Sequence, residues 1–281
     1  MNSKPKRRTR LFLFLLGLAV LCVGLWCWGN KALVTSSYVV KSEKLPESFA
    51  GYTIAAISDL HNASFGKEQS RLLKALAKAE PDLIVITGDL VDSRRTDFAP
   101  ALDLIEGAVE IAPVYYVPGN HESRIPEYTE WEEVLRAAGV HVLHNEGVSL
   151  TQAGAEILLL GVDDPAFSKI EPEEALAELL PQFSQAGEMF TILLSHRPEC
   201  FAQYVAAGID LTFAGHAHGG QIRIPGLGGL YAPHQGFLPT YTQGVYTEND
   251  AAMVVSRGLG NSLFPLRVNN PPELVVVRLE P

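Results

Sequence analysis

The sequence predicts an α/β (α+β) protein of four layers, in which two mixed β-sheets pack as a sandwich flanked by helices, preceded by one N-terminal transmembrane helix. Three observations predict it. Short apolar runs of strand length alternate along the chain with segments that are apolar at helical spacing. The number of runs suits two sheets packed face to face. An uncharged apolar stretch at residues 11–28 stands apart from everything that follows.

That stretch comes first in the chain. Lys4, Lys6, Arg7, Arg8 and Arg10 precede it, and no small-x-small cleavage site follows. A run of about 18 residues spans a hydrocarbon core and is long for the apolar part of a signal peptide. Trp26, Trp28 and Lys31 suit the membrane interface. The basic flank places the N-terminus in the cytoplasm and the rest of the chain on the extracytoplasmic side. Arg7-Arg8 also loosely resembles a twin-arginine export signal, and a buried core helix is the competing reading. The expected organisation is a basic segment at 1–10, a signal-anchor at 11–28, a linker at 29–50 and one globular domain at 51–281. Cys22 and Cys27 fall in the apolar run and Cys200 is alone in the domain, so no disulfide framework exists there.

Within the domain, strands are predicted at 52–58, 82–87 and 114–117, with helices at 67–79, 101–110 and 127–138 between and after them. Further strands are expected near 141–143, 156–160, 190–194 and 210–213, with helices around 171–180 and 198–207. Late strands at 251–256 and 273–279 are joined by Gly- and Pro-rich loops. A net charge of −10 argues against a nucleic-acid surface, because affinity for a polyanion rests on Lys and Arg. Oligomeric state is not legible.

Five polar blocks each follow an apolar strand, where loops bring side chains together. They are Asp59-Leu60-His61, Gly88-Asp89, Gly119-Asn120-His121-Glu122, Ser195-His196 and Gly215-His216-Ala217-His218. Carboxylate oxygen with imidazole nitrogen suits Mn, Fe or Zn, and the same ligands serve all three. Asp89 has two oxygens with which to bridge two ions, although taken singly it also reads as a turn or cap residue. Asn120 offers a neutral carbonyl ligand. Each histidine alone also reads as a structural hydrogen-bonding residue.

In their order and composition the blocks resemble the calcineurin-like metallophosphoesterase family. The remainder of the domain, including His218-Gly219-Gly220-Gln221 and Ser256-Arg257-Gly258-Leu259-Gly260, resembles the bacterial membrane-associated branch typified by the YkuE and YaeI phosphoesterases. The resemblance implies two divalent metal ions. Asp59, His61, Asp89 and His218 would hold one, and Asp89, Asn120, His196 and His216 the other. It implies that activated water attacks phosphorus in line, with His121 protonating or stabilising the leaving oxygen and Glu122 orienting it. Asp92 is expected to support its loop. Asn62, Arg257 and Arg267 are candidate substrate contacts, and a solvated or structural arginine is the other reading of the last two.

The function expected is a membrane-anchored phosphodiesterase or pyrophosphatase acting on a phosphate ester, with a lipid or cell-envelope compound among the candidate substrates. The alternative is a non-catalytic metal-dependent binding or scaffold module. The presence of His121 favours the enzyme, because a binder has no use for a leaving-group acid.

Overall fold

Continuous apolar runs such as Leu83–Ile86 and Thr191–Leu194 have no polar face to give to solvent, so they form strands covered on both sides. A computed structural model describes residues 4–183 and 187–281. In chain order the strands are β1 (Val34–Lys41), β2 (Thr53–Ile57), β3 (Leu83–Ile86), β4 (Val114–Tyr116), β5 (His141–Val142), β6 (Glu146–Gln152), β7 (Ala155–Gly161), β8 (Thr191–Leu194) and β9 (Leu211–Ala214). Two small hairpins follow, β10 (Arg223–Ile224) with β11 (Gly228–Gly229) and β12 (Tyr231–Ala232) with β13 (Gly236–Phe237). The last three strands are β14 (Gly244–Glu248), β15 (Ala251–Val255) and β16 (Glu273–Glu280). The helices are α1 (Lys4–Lys31), α2 (Ser70–Lys78), α3 (Ala99–Val109), α4 (Tyr128–Ala137), α5 (Pro165–Ser168), α6 (Pro172–Leu179) and α7 (Phe201–Ala206).

One six-stranded sheet has the order β1-β16-β2-β3-β4-β5 and the other β14-β15-β9-β8-β7-β6. In the first sheet β2, β3, β4 and β5 run parallel; in the second, β7, β8, β9 and β15 do. Between the sheets lies a core that includes Ile54, Val85, Leu159, Ile192, Phe213 and Val277. Alternate residues of the same strands face outward, Ile84 and Ile86 under the α2, α3 and α4 layer, and Leu158 and Leu193 under α6 and α7. The four layers therefore follow from strands apolar on both faces, where each fully buried Leu or Ile contributes about 1.5–3 kcal/mol.

Besides the two small hairpins, three strands of the large sheets lie where none was expected: β1, β6 and β14. The first corrects the reading of 29–50 as a linker. Val34–Lys41 pairs with β16 along its whole length, from Val34 opposite Glu273 to Lys41 opposite Glu280. Only Ala32 and Leu33 separate α1 from β1. The apolar helix also runs beyond the expected 11–28; Arg7–Lys31 is long and apolar enough to cross a membrane, and among its described side chains those from Leu11 to Leu16 and Trp26 and Trp28 are exposed.

Candidate metal centre

Every block sits just past the C-terminal end of a parallel strand, and both sheets present those ends to the same place. Asp59 and His61 follow β2, Asp89 follows β3, and Asn120 and His121 follow β4. From the second sheet, His196 follows β8, and His216 and His218 follow β9. All eight side chains are buried.

The groups converge into overlapping clusters. Ligand atoms of Asp59, His61 and His218 lie within 4.8 Å of one another, as do those of His61, Asp89 and His121, and those of Asp89, His196 and His216. Asp89 joins the clusters: its Oδ2 is 3.5 Å from His61 Nε2 and 3.3 Å from His196 Nε2. Its Oδ1 accepts the backbone N–H of His121 at 2.8 Å, which fixes the carboxylate's orientation. Asn120 Oδ1 lies 3.2 Å from His196 Nε2. Asp59 accepts Ser58 Oγ–H at 2.6 Å and the backbone N–H of His216, tying the β2 loop to the β9 loop.

The backbone is held out of its ordinary range to do this. Asp59, His61, Asp89, His216 and His218 all have φ between 43° and 64°. Such conformations cost about 1–3 kcal/mol each for residues with a side chain, and persist where surroundings over-determine them. Close approach also demands glycine at two positions. A Cβ on Gly119 would strike Asp89 Oδ1, and one on Gly215 would strike Ser58 Oγ and lie 2.6 Å from Asp59 Oδ2.

The donor set fits divalent cations. His61 Nδ1 and Nε2 and His218 Nδ1 are buried without a hydrogen-bond partner, against the usual pairing of buried polar atoms. His216 Nδ1 faces His196 Nε2 at 3.0 Å, so imidazole nitrogens point at one another across a space also lined by a carboxylate and an amide oxygen. Carboxylate, amide oxygen and imidazole are ligands for Mn, Fe and Zn alike.

Charge follows from this crowding. Burial opposes ionisation of Asp89, but the imidazoles of His196, His61 and His121 outweigh it and hold the carboxyl well below its usual range. Asp59 is likewise depressed against its burial, His218 contributing most. Burial also opposes the charge on His196, yet Asp89 outweighs it and raises the imidazole to about 10. The other two imidazoles of that sheet go the opposite way. Burial, with the like charge of His196, depresses His216, and burial lowers His218 to about 3.

His121 sits at the edge of the cluster and is lowered to about 4, chiefly by burial. Ser93 donates its backbone N–H to His121 Nδ1 at 3.1 Å, which leaves the proton of the neutral ring on Nε2. That nitrogen is 3.1 Å from Ser262 Oγ. The expected orienting partner, Glu122, does not touch the ring. Its carboxylate instead accepts the backbone N–H groups of Asp89 and Gly119 at 2.9 Å and of Val91 at 3.3 Å, clamping the β3 and β4 loops together. Burial first and Asp89 second raise Glu122 to about 7. Asp92, at 3.6 Å from His121 Nδ1, is the carboxylate nearer the ring, and it also accepts from Arg94 and Arg95.

The three expected substrate contacts are engaged in loop structure. Asn62 Nδ2 donates to the Arg95 carbonyl at 2.5 Å and its Oδ1 accepts from Asp92 N at 3.0 Å. Arg257 pairs with Glu273 at 2.9 Å. Arg267 is fully buried and donates to Asn261 Oδ1 and to the carbonyls of Arg257 and Gly260, so its guanidinium fastens the C-terminal loop.

Sequence reasoning missed His234, whose Nδ1 lies 2.8 Å from His216 Nε2, with Glu199 3.9 Å beyond. It lies in the turn between β12 and β13, which no apolar run announces, and it belongs to no block, so spacing carried no sign of it. Ser93 and Ser262, which flank His121 on either side, were equally invisible.

Residues 52–220 match the calcineurin-like phosphoesterase family. An uncharacterized metallophosphoesterase of Bacillus subtilis strain 168, YkuE, is 29% identical over 88% of this chain and 85% of its own. Phosphodiesterase YaeI of Escherichia coli K12 is 29% identical over 83% of this chain and 84% of its own. A bovine protein (Bos taurus) named transmembrane protein with metallophosphoesterase domain is 29% identical over 86% of this chain, which spans 56% of that protein. With its paired clusters of carboxylate and imidazole suited to two divalent ions, the chain belongs to the calcineurin-like phosphoesterase family and is a metal-dependent hydrolase of phosphoric esters.

Proposed function

We propose that the protein is a membrane-anchored phosphoesterase that cleaves a phosphodiester or pyrophosphate bond of a lipid or cell-envelope substrate, with its catalytic domain on the extracytoplasmic side. In this reading Asp59, His61, Asp89 and His218 hold one ion, and Asp89, Asn120, His196 and His216 hold the second. The observation that carries it is the position of Asp89 Oδ2 between His61 and His196, where one carboxylate serves both ligand groups.

Mn, Zn or Fe bound there supplies Lewis acidity, acidifying water and neutralising charge on phosphoryl oxygens. The remaining work falls to the chain. His121, neutral and carrying its N–H on Nε2, hydrogen-bonds the leaving oxygen and stabilises the charge that develops there, a contribution of roughly a hundred- to a thousandfold. Ser93 N–H sets that tautomer, and Glu122 keeps Asp89 and Asn120 in register by holding both their loops. Both catalytic loops descend from central strands, which resist displacement.

The anchor is α1, with residues 1–10 on the cytoplasmic side by their charge. The likeness to a bovine protein named for a transmembrane segment supports the membrane reading.

The purified full chain in detergent should hydrolyse bis-p-nitrophenyl phosphate with added Mn and stop with a chelator. Protein that retains two ions by elemental analysis and turns over no phosphodiester, monoester or phospholipid would instead be a metal-dependent binding module.

A further inference from the structure

The loop that follows Gly260 joins three features that the catalytic reading leaves unconnected. At its start, Asn261 Nδ2 donates to Asn30 Oδ1 at 2.5 Å, and Asn30 belongs to the last turn of α1. Near its end, the Arg267 carbonyl packs so closely on Gly29 that a Cβ there would collide with it. Between these points Ser262 Oγ reaches His121 Nε2 at 3.1 Å and accepts from Arg94 at 2.7 Å. The next two residues, Leu263 and Phe264, are 81% and 46% exposed, and Val268 is 40% exposed.

We propose that Leu263 and Phe264 sit in the interface of a lipid bilayer beside the end of α1, so that the rim of the metal site meets the membrane surface. The proposal rests on the reading of α1 as a membrane anchor and names the surface that reading leaves open. An apolar helix places whatever touches its exit turn at the level of the headgroups, where aromatic and aliphatic side chains gain by partial insertion. The loop touches that turn at Gly29 and Asn30.

Charge at the same place suits an anionic bilayer. Arg71 donates to the Lys31 carbonyl at 3.1 Å, so the start of α2 flanks the exit turn, and Lys74 lies one turn further along with its side chain exposed. Arg94 stands on the other side against Ser262. Arg71 and Lys74 beside the exit turn, and Arg94, which shares its charge with Asp92, put cationic groups near the loop that suit a negative surface. Leu263 follows directly on the residue that touches His121. A phosphoester in a lipid headgroup therefore reaches the site while its acyl chains stay in the bilayer.

The test uses the full chain in nanodiscs of phosphatidylglycerol and phosphatidylcholine, with some lipids brominated high on the acyl chain. Wild-type emission reports the anchor, because Trp26 and Trp28 are exposed on α1 whereas Trp131 is buried in the domain. Phe264→Trp adds one reporter at the loop tip. The added emission should be quenched by brominated lipid and shielded from aqueous iodide. If wild-type emission responds to brominated lipid while the added emission responds only to iodide, the docking surface is wrong and the anchor stands. If wild-type emission ignores brominated lipid, the anchor reading fails and takes this proposal with it.

A second measurement reads function. Leu263→Asp with Phe264→Asp should slow hydrolysis of a vesicle-embedded phosphodiester by about tenfold and leave bis-p-nitrophenyl phosphate hydrolysis unchanged. Equal rates with wild type on the embedded substrate would overturn the proposal.

Discussion

The two sheets bring different chemistry to their shared end. The loops of the β2–β3–β4 side carry both carboxylates, the amide, one imidazole of the proposed ligand set and His121, whereas the β8–β9 side carries imidazoles alone. All the formal negative charge of the ligand set thus comes from one sheet. The other supplies donors that are neutral when bound to a cation, and it does so through residues buried against that charge. Neither sheet holds a complete ligand set, so the centre exists only when the sandwich core has closed. Packing between Ile54, Val85, Ile192 and Phe213 is therefore as much a condition of metal binding as the ligands are.

The largest test of this asymmetry is Asp89→Ala. Removing the shared carboxylate should lower turnover by about a thousandfold or more and deplete metal at both positions, measured by kinetics and elemental analysis. Loss of ions with His121→Ala to the same degree would break the division between holding metal and hydrogen-bonding the leaving oxygen. That variant should instead keep its ions and lose roughly a hundred- to a thousandfold in rate.

On the imidazole side the effects should be smaller and confined to one ion. His216→Ala should cost about one equivalent of metal while the site holding Asp59 stays filled. His234→Ala, one step removed, should weaken affinity at the His216 position by about tenfold, as loss of a partner to a metal-binding histidine does. Metal titrations followed by calorimetry would separate the two.

The same asymmetry sets a pH profile for the metal-free protein. His196, raised to about 10, contributes stability that is full below about pH 6.5, its ordinary value, and is lost as pH rises through about 10. His218, lowered to about 3, stays neutral in the fold while the unfolded chain takes up a proton below about pH 6.5, so its effect is a loss as pH falls. Asp59 and Asp89, both depressed, contribute stability present above the ordinary carboxylate range and lost as pH falls below it. Thermal unfolding of chelator-treated protein should therefore show greatest stability near pH 6–7. Because His196 must lose its proton to bind a cation, loading near pH 8 should release roughly one proton, measured by calorimetry in two buffers of different ionisation enthalpy.

The difference between regions also explains what the sequence disclosed. Interior strands such as Leu83–Ile86 and Leu211–Ala214 are buried on both faces and read as unbroken apolar runs. The three strands of the large sheets that escaped notice, β1, β6 and β14, are sheet edges. Their side chains alternate between partial burial and exposure, as in Val-Thr-Ser-Ser-Tyr, and that pattern is hard to tell from a polar connection. The blocks were legible because glycine and metal-ligand residues follow runs of the first kind. Glu122 was recognised as part of a block but given the wrong partner, since nothing in spacing shows that a carboxylate will cap backbone N–H groups from two loops. Arg267 looked available because its neighbourhood is rich in Gly and Pro, yet those residues let the loop wrap around the guanidinium and bury it.

The brevity of the join between α1 and β1 has a mechanical outcome. Ala32 and Leu33 leave no slack, and β1 is then knitted to β16 along its full length. Under the proposed anchoring by α1, the catalytic body would not swing on a leash or roam in search of distant esters; it would turn only as the helix turns. Reach is thereby exchanged for a fixed height and a fixed bearing, and inserting flexible residues after Lys31 would loosen both without touching a single ligand.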